Sequence, residues 1–308
     1  MPSRRKVVLV ASRKTVGKLN VNDVIGQLVG HGFEVNVEEY FNPPLFGSNS
    51  HARVKSDTEI VVVLGGDGTM LRAAELVHGT DVPIVGINMG HVGFLAEFER
   101  FQIQDALAKI ASRDYSIDER VVAQVAVTIP HQSTPIMDWA LNDVTIENAE
   151  RGRMLEIAIA VDDVDVSSFG CDGVIISTPT GSTAYAFSAG GPVIWPEVGA
   201  LQLVPLAAHA LFARPLIIGA QSTFSIHIPH SDQSTQAATQ AWICADGRRQ
   251  QVLPQGSTID VHQSSQTVKL ARLIGIPFSS RLVSKFDLPV RGWRQGSAQH
   301  TLNDGEKK

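Results

Sequence analysis

Cysteine is almost absent from this chain: Cys171 and Cys244 are the two in 308 residues. They stand far apart and fit no zinc or C-x-x-C spacing, so neither a disulfide scaffold nor a thiol metal site is called for. A long apolar run and a signal peptide are also missing. These absences make a reduced, cytosolic protein with no membrane span the default expectation. Positive charge is not in excess either. Lysine and arginine number 26 against 31 aspartates and glutamates, for a net charge of −5, which offers nothing global to nucleic acid or an anionic membrane. Internal repeats and low-complexity tracts do not occur. The two commoner phosphate loops are missing. Leu71 stands where the last Gly of a G-x-G-x-x-G would fall, and Ser12 where a G-x-x-x-x-G-K ending at Gly17-Lys18 would begin.

What is present is a substantial apolar fraction, 44%, in a chain long enough for two domains. The stretch that organises it is Ile60-Val61-Val62-Val63-Leu64-Gly65-Gly66-Asp67-Gly68-Thr69-Met70-Leu71-Arg72. The β-branched run reads as a buried parallel strand. Three glycines then allow a sharp turn and bring backbone N–H groups close to a ligand. Thr69 is the expected N-cap of a helix through Ala73, Ala74 and Leu76. Oriented N–H groups and a helix start suit an anion, most often phosphate. Asp67 repels phosphate, so its use here is handling a proton or a metal ion; the plainer alternative is a tight turn whose Asp caps the helix.

The first quarter alternates strand and helix. Lys6–Val10, Phe33–Val37, Ile60–Leu64 and Val82–Ile87 read as strands. Val21–Leu28 and the runs ending near Val77 and Ala111 read as helices, and Phe41–Asp57 as a loop. That order predicts a parallel sheet with ligands at the carboxyl ends of its strands. A second glycine-rich loop, Gly86–Ala96 with His91 inside it, falls at the same edge. After about Ser116 the pattern changes to short alternating runs: Val121–Ile129, Met154–Val164, Phe224–Ile228 and Ile259–Val261. These predict an antiparallel β-domain. Arg281–Phe286 suggests a helix that, with Trp293, packs back on the first domain. The fold class is thus α/β plus all-β. Residues 1–117, completed by about 275–295, form the α/β domain, 118–274 the β-rich domain and 296–308 a disordered tail.

Two stretches of the β-domain carry polar chemistry. Asn142-Asp143 puts an amide beside a carboxylate, suited to a sugar or an adenine edge or to a simple Asx turn. Asp172–Pro192 runs from a strand into a hydroxyl-rich turn, then a small-residue helix ended by Gly190-Gly191-Pro192. Its many neutral donors and acceptors favour a flat ligand over a mere turn. Ser182 lies outside any G-x-S-x-G elbow, which weakens a nucleophile reading.

In this order and at this spacing, Gly65–Arg72, Gly86–Ala96, Asn142-Asp143 and Asp172–Pro192 resemble the NAD kinases, from Val7 to about Trp293. The first motif alone also resembles lipid kinases and phosphofructokinases; the Ser/Thr/Tyr stretch is what singles out the NAD kinases. The resemblance implies phosphoryl transfer to the 2′-hydroxyl of the adenosine ribose of NAD, with ATP or inorganic polyphosphate as donor. It implies Asp67 as general base and Mg²⁺ carried by the nucleotide, with no metal site in the protein itself. Gly65, Gly66, Gly68 and Thr69 would meet the donor phosphates. NAD would be met by Asp67, Gly68, Arg72, Asn142, Asp143, Arg153, Asp172, Thr183, Ala184, Tyr185, Ala186, Phe187 and Ser188. Asp143 stands where many members have Glu, and Gly170 where some have a basic residue. The family pairs its two domains in homodimers or homotetramers. The rival readings are a non-catalytic NAD or NADP sensor and a lipid kinase.

Overall fold

Two strands buried on both faces set the architecture. The computed structural model describes residues 5–11, 21–38, 43–48, 54–88, 93–96, 103–149, 153–211, 213–230 and 240–290. The first half runs β1 (Arg5–Ala11), α1 (Val21–Gly30), β2 (Phe33–Glu38), β3 (Thr58–Leu64), α2 (Asp67–Val77), β4 (Ile84–Ile87) and α3 (Ile103–Ser112). Along β1 and β3 successive side chains go to opposite faces. Val7, Leu9, Ile60, Val62 and Leu64 pack with α1 and α3, and Val8, Val10, Val61 and Val63 with α2. Both cores are apolar and buried, so these strands carry continuous apolar runs rather than alternating ones.

The second half is strand-rich: β5 (Ser116–Thr128), β6 (Ile136–Ala140), β7 (Asp143–Asn148), β8 (Leu155–Val161), β9 (Val164–Cys171), β10 (Gly173–Ser177), the short α4 (Tyr185–Ser188), β11 (Ala200–Leu206), β12 (Leu216–Gly219), β13 (Thr223–His227), β14 (Ala241–Ala245), β15 (Arg249–Leu253), β16 (Thr258–Arg272) and α5 (Phe278–Phe286). A six-stranded antiparallel sheet has the order β12-β11-β10-β7-β14-β15. The other sheet has ten strands and is mixed. It follows β2-β1-β3-β4-β16-β13-β8-β9, with β5 paired to β16 and β6. The alternating inner faces of the strands close a third core, in which Val125, Ile157, Ile176, Leu203 and Ile243 are fully buried.

β16 joins the halves. Leu270 pairs in parallel with Ile84 of β4, while Thr258–His262 pair antiparallel with β13 and the whole strand with β5. The chain's end therefore returns to the first sheet through β16, and α5 follows on. Three local readings change. The Met154–Val164 run is a strand only to Val161, because Asp162 and Asp163 adopt positive φ of 51° and 63° and turn the chain into β9. The small-residue helix after Pro179 is one 3-10 turn, Gly181–Thr183, and one α turn. The helix after the glycine motif begins at Asp67 with Gly66 as N-cap; Thr69 lies inside it. Its hydroxyl rests where a Cβ on Gly65 would be, 2.4 Å away, so it closes over the turn and does not cap. His91, Trp293 and the tail lie outside the described residues.

The halves also share a buried ion cluster. Arg249 is 1% exposed and reaches Glu75 of α2 at 2.9 Å, Asp138 of β6 at 3.0 Å and Asp246 at 3.4 Å. Arg248 adds a second bond to Glu75 at 2.8 Å. The Arg249 guanidinium also lies over the Trp139 ring, on which His78 stacks at 3.9 Å. Arg249→Met leaves three buried carboxylates without their shared cation. The expected loss is about 3–5 kcal/mol, read as a fall in denaturation midpoint at pH 7; an unchanged midpoint would show that the cluster carries no net stability.

Candidate active site

The site is built on two turns, one in each half. In the first, β3 ends in Gly65-Gly66 and α2 starts at once. Gly66 offers no side-chain cap, and a Cβ at Gly66 or at Gly68 would meet nothing within 4 Å. The start of α2 is thus bare, with open space over it. The first N–H groups of a helix have no internal partner, so this is an anion-accepting position. Asp67 is held from the side. Its Oδ2 accepts from the Phe94 N–H and its Oδ1 from the Leu95 N–H, each at 3.1 Å. Gly93 makes the approach possible: a Cβ there would lie 2.4 Å from Asp67 Oδ1. The second glycine loop therefore positions Asp67. The plain capping alternative does not hold, since the carboxylate bonds to residues far along the chain.

In the second half a cavity of about 440 Å³ opens between β7, β14, the β14–β15 turn and α4, lined by Asn142, Asp143, Glu147, Tyr185, Trp242 and Asp246 among others. Ala184 also lines it. Four of the residues singled out from sequence meet here: Asn142, Asp143, Ala184 and Tyr185. The turn after β10 is tied to the Asn142 backbone. Thr178 N–H donates to Asn142 O at 2.9 Å, Thr178 Oγ1 donates to Leu141 O at 2.5 Å, and a Cβ on Gly181 would fall 2.0 Å from Asn142 O. On the other side, Asp246 takes the Asn142 N–H at 2.7 Å and the Leu141 N–H at 3.0 Å.

The remaining sequence candidates do not line this cavity. Asp172 and Arg153 are exposed; Arg153 O accepts from the Asn148 amide. Ala186 is fully buried against Ile175 and Val204, so its methyl belongs to the core. Phe187 stacks on Phe286 of α5 at 4.2 Å. Thr183 is half-buried with its hydroxyl on Thr180 O, and Ser188 is exposed. Arg72 is half-buried on α2.

Sequence reading missed Asp246, Glu147 and Trp242. Only Asp246 left a trace: Asp246-Gly247 is a hairpin dipeptide, and both residues have positive φ, 52° and 64°. Nothing local shows that its carboxylate clasps a strand end more than a hundred residues earlier.

The charged side chains that line the cavity, among the described residues, are acidic. Burial, then the neighbouring Asp246 and Glu147 carboxylates, push Asp143 up to about 7. Burial also raises Asp246, opposed first by Arg249 and then by the backbone N–H groups it accepts. Among the described residues no lysine or arginine lines the cavity.

Comparison with known proteins decides what this geometry serves. Residues 21–115 match the model for the ATP-NAD kinase N-terminal domain, and residues 141–273 the model for the C-terminal domain. An NAD kinase of Bifidobacterium longum subsp. infantis is 60% identical over 308 residues, covering all of this chain and 88% of that one. The chain belongs to the NAD kinase family. An NAD kinase of Leifsonia xyli subsp. xyli is 51% identical over 239 residues, 78% of this chain and 77% of that one. Yeast NADH kinase complexed with NADH shares the fold at a TM-score of 0.80 and 21% identity, covering 94% of this chain and 89% of that one. An NAD kinase from Archaeoglobus fulgidus in complex with ATP shares it at 0.65 and 24%, covering 92% and 97%. The enzyme is thus a nucleotide-binding phosphotransferase acting on NAD, and the sensor and lipid-kinase readings fall away. Among the described residues no helix is long and apolar enough to cross a membrane.

The Asp143 shift gives this NAD kinase a pH signature. A carboxyl raised on folding binds more protons folded than unfolded between its ordinary value and about 7, so its contribution to stability declines as pH rises through that window. His78, lowered to about 4 by burial and then by Arg249, has the opposite slope, so wild type must be compared with Asp143→Asn at each pH. The difference in stability, variant minus wild type, is expected to grow in the variant's favour from pH 4 to 7. A difference that stays flat would mean that Asp143 ionises normally.

Proposed function

We propose that the enzyme transfers the terminal phosphoryl group of ATP, or a phosphoryl group of inorganic polyphosphate, to the 2′-hydroxyl of the adenosine ribose of NAD, giving NADP. The observation that carries this reading is the fixed Asp67 carboxylate at the bare start of α2. The N–H groups of Gly65 and Thr69 are already donated to Ile87 O and Gly66 O. Of Gly65, Gly66, Gly68 and Thr69 it is therefore Gly66 and Gly68 whose N–H groups would meet a phosphate held over the turn, and the carboxylate beside it has no use for phosphate but does have one for a proton. In the transfer, the ribose oxygen forms its bond to phosphorus as the bond to the leaving phosphate oxygen breaks. The hydroxyl proton passes to Asp67 and the donor leaves as ADP or a shortened polyphosphate. Such transfer needs positioning and charge stabilisation more than covalent help. The NADH and ATP named for the two similar structures support these substrates.

NAD is placed across the two turns, its polar groups on Asn142, Asp143, Ala184 and Tyr185. Gly68, Arg72, Arg153, Asp172, Thr183, Ala186, Phe187 and Ser188 are assigned supporting contacts, Ala186 through its backbone. The functional halves are residues 1–117, completed by about 275–295, and 118–274. Among the described residues no group of three or more His, Cys, Asp or Glu side chains is arranged so that it could hold a metal ion, and both Asp67 oxygens already accept backbone N–H groups. These residues fit a divalent ion, Mg²⁺, that arrives with the nucleotide, where it would neutralise phosphate charge. The enzyme works in the cytoplasm as a homodimer or homotetramer.

The test is NADP formation from NAD, ATP and Mg²⁺, with polyphosphate in place of ATP as a second arm. Asp67→Asn keeps the size and loses the base, and is expected to lower kcat by about 10²-fold or more. Equal turnover by the two proteins would remove Asp67 from the mechanism. Gly93→Ala tests the approach rather than the base. Its methyl displaces the carboxylate, and a fall of kcat by about tenfold or more is expected, with wild-type kcat excluding any need for the close contact.

A further inference from the structure

We infer that Arg281 of α5 is a positioning residue for Asp67, acting through the backbone of residues 94–96; this rests on the reading of Asp67 as general base. Phe94, Leu95 and Ala96 face two ways. The N–H groups of Phe94 and Leu95 point to the Asp67 carboxylate. Their carbonyls, with that of Ala96, point to arginines supplied by the returning end of the chain. Arg281 Nη1 donates to Ala96 O at 3.0 Å and to Phe94 O at 3.5 Å. Between these two, Leu95 O accepts from Arg272 Nη1 at 3.0 Å. Arg272 is itself oriented by Asp118 at 2.8 Å.

The peptide joining Phe94 to Leu95 thus has a guanidinium at its oxygen and the carboxylate at its N–H. A peptide dipole held between opposite charges is polarised and fixed in orientation, and each bond strengthens the other. Arg281 is 6% exposed, so water does little to weaken the field. Its helix is locked in place by rings. Phe94 packs against Phe278 and Phe286 with centroids 5.7 and 5.8 Å away, and Phe286 stacks on Phe187. One helix from the far end of the chain therefore fixes the segment that aims Asp67 and touches the turn assigned to NAD.

The experiment is a double-mutant cycle on the full chain, with kcat and KM measured for NAD and ATP. Arg281→Met is expected to lower kcat by about tenfold, with both KM values within about twofold of wild type. Arg281→Lys keeps a charged donor and is expected to recover most of the rate. In an Asp67→Asn background, Arg281→Met is expected to cost nothing further, since its effect runs through Asp67. Lys285→Ala, on the exposed side of the same helix, is the control and keeps wild-type rates. Wild-type kcat in Arg281→Met overturns the inference, as does an undiminished loss in the Asp67→Asn background or a loss carried by KM alone. If Arg281→Met does not fold, the cycle is run with Arg281→Gln, which removes the charge. Its kcat loss must vanish with Asp67→Asn; persistence of that loss, or none in the first place, rejects the inference. Wild-type turnover by Asp67→Asn alone signals failure of the general-base reading instead.

Discussion

The structure depends on one shared cation. Arg249 lies among carboxylates from three different elements, Glu75 of α2, Asp138 of β6 and Asp246 of the β14–β15 turn. None of the four could be buried alone, because an uncompensated charge in the interior is too costly. Each therefore requires the others to be in place. Glu75 sits on the helix whose first residue is Asp67, and Asp246 holds the backbone at Asn142. The same ion cluster thus registers the phosphate turn against the cavity. Two halves of different architecture meet in a defined geometry because a misplaced meeting would strand charge.

Much of this was legible in the sequence because it is local. β-branched runs, glycine turns and alternation decide strands, helices and sheet type within a few residues, and Ile60–Leu64 and Phe33–Val37 lie almost where pattern puts them. The glycine motif shows its purpose since glycine and a carboxylate together have few explanations. What stayed hidden is non-local. Asp246 clasps the Leu141 and Asn142 N–H groups across more than a hundred residues. Phe94 and Leu95 contribute through backbone, which no side-chain pattern records. Thr69 misled because a hydroxyl near a helix start is a common cap, whereas here Gly66 takes that place and Thr69 closes over Gly65. The turn at Asp162-Asp163 was missed for a related reason: Val164 resumes the apolar pattern directly after it.

The neutral, hydroxyl-rich turn after β10 follows a different logic from the ion cluster. Its threonines and serines spend their hydroxyls on nearby carbonyls, Thr178 on Leu141 and Ser182 on Pro179. Small polar residues satisfy the backbone from within and leave room for Tyr185 and Ala184 to face the cavity. Rigidity here comes from short hydrogen bonds, and in the first half from charge and close-packed glycines.

β16 has a consequence for how this molecule can be divided. Because its last turn of sequence is the neighbour of β4, a cut near residue 117 strips β4 of its partner and exposes a raw sheet edge, with unpaired N–H and C=O groups next to Ile84 and Val85. Such an edge seeks another strand. The α/β half alone is an incomplete sheet, so its isolated form is a template for self-association rather than a smaller folded protein.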